Sequence, residues 1–139
     1  MNPKVVLDTS VLIAGLRSSR GASHRVLRLV DRGQFDLALS VPLVAEYEAV
    51  SKRQSRQIGL SHTDIDDILD FMCASADLRE IYFLWRPILR DSNDDHVLEL
   101  AVEANCSHIV TFNVRDFGPA STFGVQVVTP VQFLAILES

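Results

Sequence analysis

A chain of 139 residues with 47% hydrophobic and 22% charged residues has the length of one domain, residues 1–139, and the make-up of a globular protein, which excludes disorder and fibrous repeats. Its net charge of −5 argues against a protein that holds nucleic acid by neutralising phosphates alone, though not against one that handles phosphates through a metal held by acids. Two cysteines, Cys73 and Cys106, lack the spacing of a disulfide or thiolate-zinc framework, and no apolar run reaches the ~18 residues of a membrane span, so a soluble protein of a reducing cytoplasm, with no membrane partner, is expected.

The first apolar run, residues 4–7, stops at Asp8-Thr9-Ser10, after which Val11, Leu12 and Ile13 continue at helical spacing. This predicts a buried parallel strand followed by a helix capped by Thr9 or Ser10. Residues 22–32 set Val26, Leu27, Leu29 and Val30 against Arg25, Arg28 and Arg32, an amphipathic helix closed by Gly33. Residues 35–40 form a second strand, and Pro42 opens a helix through Lys52 with Leu43, Tyr47 and Val50 as its buried stripe. Ser61-His-Thr-Asp64 is a capping box ahead of Ile65, Ile68, Leu69 and Met72. Residues 81–85 are a third apolar run, ended by Pro87; residues 92–104 are a helix, 107–112 a fourth strand and 125–128 a fifth. Thr129-Pro130 starts a last helix through Leu137. Strands alternating with helices give an α/β protein, a parallel sheet covered on both faces in three α/β/α layers.

Charge is spread unevenly along this pattern. Residues 17–56 carry eight basic side chains against four acids, and residues 61–103 carry eleven acids against three arginines. Four acidic positions stand out. Asp8 follows the first strand at its carboxyl end, where open parallel sheets bind ligands, and Thr9 and Ser10 already supply the cap. Glu46 lies at the edge of the buried stripe of its helix. Asp95, with Asp94 and Asp91 close by, sits on the inward face of a helix start, where one acid would satisfy the helix dipole. Asp116, beside Thr111 and Asn113, follows the fourth strand on the same edge of the sheet as Asp8. Carboxylates gathered on one rim repel one another and raise their own pKa values unless a hard cation intervenes. Oxygen-only ligation selects Mg²⁺ or Mn²⁺.

With those pieces in order, VVLDTSVLIAGL, LSVPLVAEYEAV, RDSNDDHVLELAVEANCSHIVTFNVRDF and VVTPVQFL, the sequence resembles a PIN domain, the Mg²⁺-dependent ribonuclease fold of many VapC-type toxins. The resemblance spans nearly the whole chain. It implies a five-stranded parallel sheet of order 3-2-1-4-5 and an Mg²⁺- or Mn²⁺-dependent endoribonuclease that hydrolyses RNA phosphodiester bonds as the toxin of a toxin–antitoxin pair. Asp8 and Asp95 would hold the metal directly or through water. Glu46 and Asp116 would complete the acidic pocket, as metal ligands or by orienting water. Ser10, Asp94, Thr111 and Asn113 would support them. Asn113 stands where many members carry Asp, and Ser10 where Asn is frequent. Arg25, Arg28, Arg32, Lys52, Arg53 and Arg56 would guide the RNA backbone. A homodimer and an antitoxin protein are the partners the resemblance implies.

Other features read as ordinary structure. His24, His62, His96 and His108 are not spaced as a metal set, and Trp85 reads as the edge of the core. No G-x-S-x-G elbow or Gly-rich phosphate loop occurs, which disfavours a serine hydrolase or a nucleotide-binding enzyme. Ser10, where a second acid would stand, argues against a phosphatase or flap nuclease. The absence of Lys after the fifth strand argues against a phospho-acceptor receiver. A catalytically weak PIN fold serving as a nucleic-acid or protein binding module has Asn113 as its support.

Overall fold

Val5, Val6 and Leu7 expose no surface, as a strand covered on both faces requires. They form most of β1 (Lys4–Leu7) in the computed structural model, which describes residues 2–80 and 94–139. With β2 (Asp36–Ser40), β3 (Asp77–Arg79), β4 (His108–Val110) and β5 (Gln126–Val128), β1 makes a five-stranded, all-parallel sheet in the order 3-2-1-4-5. The chain steps outward from β1 to β3, then returns past β1 to β4 and β5. Right-handed crossovers therefore put the helices of the two halves on opposite faces. On one face lie α1 (Thr9–Arg17), α2 (Ala22–Arg28), α3 (Val41–Arg53), α4 (Ser55–Ile58) and α5 (His62–Ser75). On the other lie α6 (Asp95–Glu103) and a 3-10 segment, Val114–Phe123. The last helix, α7 (Pro130–Glu138), packs against α2.

The direction of travel switches between β1 and β4, and the crevice beyond their carboxyl ends is where such sheets bind ligands. Pairing of Leu7 with Val110 leaves Asp8 and Thr111 side by side just past that edge. Core side chains fill both layers, with Phe35 and Phe133 meeting edge to face at 5.3 Å. α1 and α2 approach closely at Gly15, where a β-carbon would stand 2.5 Å from Leu27 Cδ1 and 3.1 Å from the Ser23 carbonyl oxygen.

Several boundaries differ from expectation. The third strand is Asp77–Arg79, ahead of the apolar run at 81–85; that run, Trp85, Pro87, Asp91 and Ser92 lie outside the described residues. β3 is an edge strand of three residues, none fully buried, so it carries no hydrophobic signal. The α1 cap position is Asp8 rather than Thr9 or Ser10. α2 stops at Arg28, because Asp31 and Gly33 take positive φ and turn the chain toward β2. In α3 the third buried position is Ser51, not Val50: its hydroxyl donates to the Tyr47 carbonyl, which lets it sit inside. α6 begins at Asp95 within the described residues. The capping boxes at Ser61–Asp64 and Thr129–Gln132 both form.

Candidate functional site

Asp8 occupies the cap position of α1, yet its carboxylate makes no capping hydrogen bond. It is 5% exposed, and its Oδ2 accepts from the hydroxyls of Ser10 and Thr111, each at 2.8 Å. Each hydroxyl is itself oriented by a backbone amide. The Asn113 N–H donates to Thr111 Oγ1 at 2.9 Å, and the Phe112 N–H lies 3.5 Å from Ser10 Oγ. Two amide–hydroxyl–carboxylate relays thus converge on one oxygen and fix the plane of a buried acid. A structural cap would need none of this.

Glu46, half-buried one turn into α3, joins the same neighbourhood. The Thr9 hydroxyl donates to its Oε2, and His96 Nε2 stands 3.3 Å from its Oε1. The His96 hydrogen bond is the main reason the Glu46 carboxyl is held below its usual range, partial burial opposing it and Thr9 adding to it. Through Glu46, then, the starts of α1 and α6 are tied to α3. Asp8 is the neighbour of one contact residue, and Asp95, 6% exposed at the first position of α6, is the neighbour of the other. Beneath them, the Tyr47 hydroxyl donates to the Leu7 carbonyl. Full burial raises this phenol well above its ordinary pKa, and the charges of Asp8 and Glu46 add to the shift.

His96 was read from sequence as an ordinary surface or satisfied residue and instead contacts a site carboxylate. Its Nδ1 is buried without a partner among the described residues. The signal available was its adjacency to Asp95 at a helix start. Glu99, one turn after Asp95, is also a buried acid that sequence reasoning passed over, although i,i+4 spacing puts it on the same face.

The remaining expected residues are placed less centrally. Asn113 contributes its backbone amide, with its side chain at an exposed position. Asp116 is half-buried in the 3-10 segment, where its N–H closes a turn onto the Asn113 carbonyl. Asp94 holds the α6 cap position without a capping bond from its side chain. Lys52 is engaged by Asp66 at 2.7 Å and Glu48 at 3.1 Å, which raises its pKa. Arg25, Arg28 and Arg32 line a groove with Gln34, Leu134 and Glu138. Arg32 and Gln34 directly precede β2, so this groove lies at the amino-terminal edge of the sheet, opposite the acidic rim. Arg53 ends α3, about 20 Å along the helix from its start at the rim, and Arg56 is exposed on α4.

Among the described residues, no three His, Cys, Asp or Glu side chains are grouped closely enough to enclose an ion. The four-acid cluster is therefore not assembled as a cage. The donor chemistry nevertheless fits Mg²⁺ or Mn²⁺, ions that use one or two carboxylates and fill the other positions with water or phosphate oxygens. Asp8 and Asp95 are buried carboxylates of that kind, and the hydroxyl-fixed Asp8 is already oriented.

A family model described as PIN domain matches residues 4–115 of the chain. No curated protein matches it by sequence. In fold it is similar to a chain of the crystal structure of VapBC2 from Rickettsia felis bound to a DNA fragment from their promoter, with a TM-score of 0.57 and 12% identity over 89% of this chain and 96% of that one.

Proposed function

The chain belongs to the PIN-domain family, and from that premise we propose that it is a divalent-metal-dependent endoribonuclease acting on RNA phosphodiester bonds. One observation carries the reading. A buried aspartate at the switch point of the sheet is held by two hydroxyls and excused from capping its own helix.

Asp8 and Asp95 would hold Mg²⁺ or Mn²⁺, directly or through water. Bound there, such an ion stabilises the charge that develops on the phosphoryl oxygens during hydrolysis. The chain's own groups do the rest. Ser10 and Thr111 keep the Asp8 carboxylate in one orientation. Glu46, its carboxylate form favoured by His96 and Thr9, would help recruit the ion or orient the attacking water. Asp116 and Asp94 add negative potential at the rim, and Asn113 acts through its amide.

Likeness to the VapBC2 chain supports a toxin of a toxin–antitoxin pair with a protein antitoxin, and a homodimer is the expected assembly, acting in the cytoplasm where RNA is. Among the described residues, no helix is long and apolar enough to cross a membrane.

The test is cleavage of mixed RNA with Mn²⁺ and with EDTA, for the parent and Asp8→Asn, beside thermal melts. Parent cleavage that stops with EDTA and falls at least about a hundredfold in the folded variant is expected. Equal cleavage by both proteins removes Asp8 from the mechanism, and chelator-resistant cleavage removes the metal. A folded parent that binds RNA without cutting it is a binding module instead, and one that cuts only DNA flaps or small phosphate esters is the phosphatase or flap nuclease.

A further inference from the structure

β1 and β2 do not stay paired to the rim. Their register covers Lys4 with Asp36 and Val5 with Leu37, while β2 continues alongside β3 from Ala38 to Ser40. The ladder between the two central strands ends at Val5, so Leu7 lies beyond it and its carbonyl on that side takes a donor from elsewhere. A buried carbonyl without a donor is costly, so something must replace it. The replacement is the hydroxyl of Tyr47, a side chain with no exposed surface that stands beneath the rim.

The chain neighbours of the two bonded residues matter most. Leu7 immediately precedes Asp8, and Tyr47 immediately follows Glu46. One hydrogen bond between residues forty apart therefore joins the two segments that carry these carboxylates. Another tie between these segments, Thr9 to Glu46, ends on the carboxylate itself at a half-buried position.

We propose that Tyr47 is a positioning residue of this site: its hydroxyl, standing in for the missing strand partner at Leu7, sets the separation of Asp8 from Glu46. This rests on the nuclease reading for its catalytic consequence, not for its geometry. Phe at position 47 fills the same space and removes only the hydroxyl. Ser51 supplies the control, because it is a second fully buried hydroxyl on α3 whose partners, the Tyr47 and Glu48 carbonyls, are on its own helix.

The experiment compares the parent, Tyr47→Phe and Ser51→Ala. Thermal melts with and without Mn²⁺ give metal affinity independently of cleavage; RNA cleavage gives kcat and KM, and amide exchange reports on residues 5–12. Both variants should melt below the parent without metal. Only Tyr47→Phe should weaken Mn²⁺ binding about tenfold, lower kcat about tenfold with KM for RNA unchanged, and speed exchange across residues 5–12. Tyr47→Phe that matches Ser51→Ala in Mn²⁺ affinity overturns the proposal. A parent that binds Mn²⁺ but cuts no RNA overturns the nuclease reading alone, the affinity comparison still deciding on Tyr47. With a parent that binds no Mn²⁺, exchange decides: rates across residues 5–12 that equal the parent's in Tyr47→Phe overturn the positioning role.

Discussion

Thr111 has one hydroxyl proton and gives it to Asp8, while its lone pair takes the amide proton of Asn113. Thr111→Val keeps the shape of this fully buried side chain and removes both bonds. Asp8 would keep Ser10 alone as a donor and rotate more freely, and the Asn113 amide, at an exposed position, can turn to water. Stability should fall by only about 1 kcal/mol in a thermal melt, whereas Mn²⁺-dependent RNA cleavage should fall about tenfold. A drop in stability without loss of cleavage would reduce Thr111 to packing. The same geometry says that Asn113→Asp leaves this relay intact, because the backbone supplies the donor. The resemblance implied Thr111 and Asn113 as support for Asp8 but carried nothing about which atom of Asn113 acts. Nor could it expose the role of His96, whose contact with Glu46 bridges fifty positions that only the folded sheet brings together.

Among the elements, those that bury a face were legible and those that do not were misjudged. β1 and α5 announce themselves through apolar runs, helical periodicity and a capping box. β3 does not, because Asp77-Leu78-Arg79 is an edge strand, and an apolar stretch further along drew the assignment instead. Polar contacts hold that strand in place. Asp77 Oδ2 meets Lys4 Nζ at 2.7 Å, reaching across β2 to β1, and Arg79 on its own strand at 3.0 Å. Arg79 first and Lys4 second hold the Asp77 carboxyl below its ordinary range. A carboxyl lowered in the folded state contributes stability that is complete above the ordinary carboxylate pKa and is lost as pH falls through the lowered value. Asp77→Asn should therefore melt below the parent at pH 7, by no more than a few degrees for a pair this open to solvent. The gap should close as pH drops from about 4 toward 2. A gap that stays constant over that range would mean the loss is not electrostatic.

At the scale of the molecule, the parallel sheet sorts charge to its two edges. Every strand delivers its carboxyl end to the rim that carries Asp8, while the turn that brings Arg32 and Gln34 into β2 lies at the other edge, alongside the end of α7. The sequence displayed the imbalance of charge between its two stretches but not this polarity, since nothing in a linear pattern says which end of a strand a later loop reaches. The resemblance implied that the basic residues guide the RNA backbone; folded, Arg25, Arg28 and Arg32 lie at the edge opposite the acids, and Lys52 is spent on Glu48 and Asp66. An oligonucleotide bound along the rim does not run past the groove arginines at the opposite edge of the sheet. Reversing charge at two of them, in Arg28→Glu with Arg32→Glu, should leave KM and kcat for a substrate of about six nucleotides unchanged, and the slope of log KM against log salt along with them. Had these two side chains each neutralised a phosphate, the slope would lose about 1.4 for a single strand. A KM that rises tenfold or more, with a flattened salt slope, would put the substrate along α2 and displace the cleavage site from the rim.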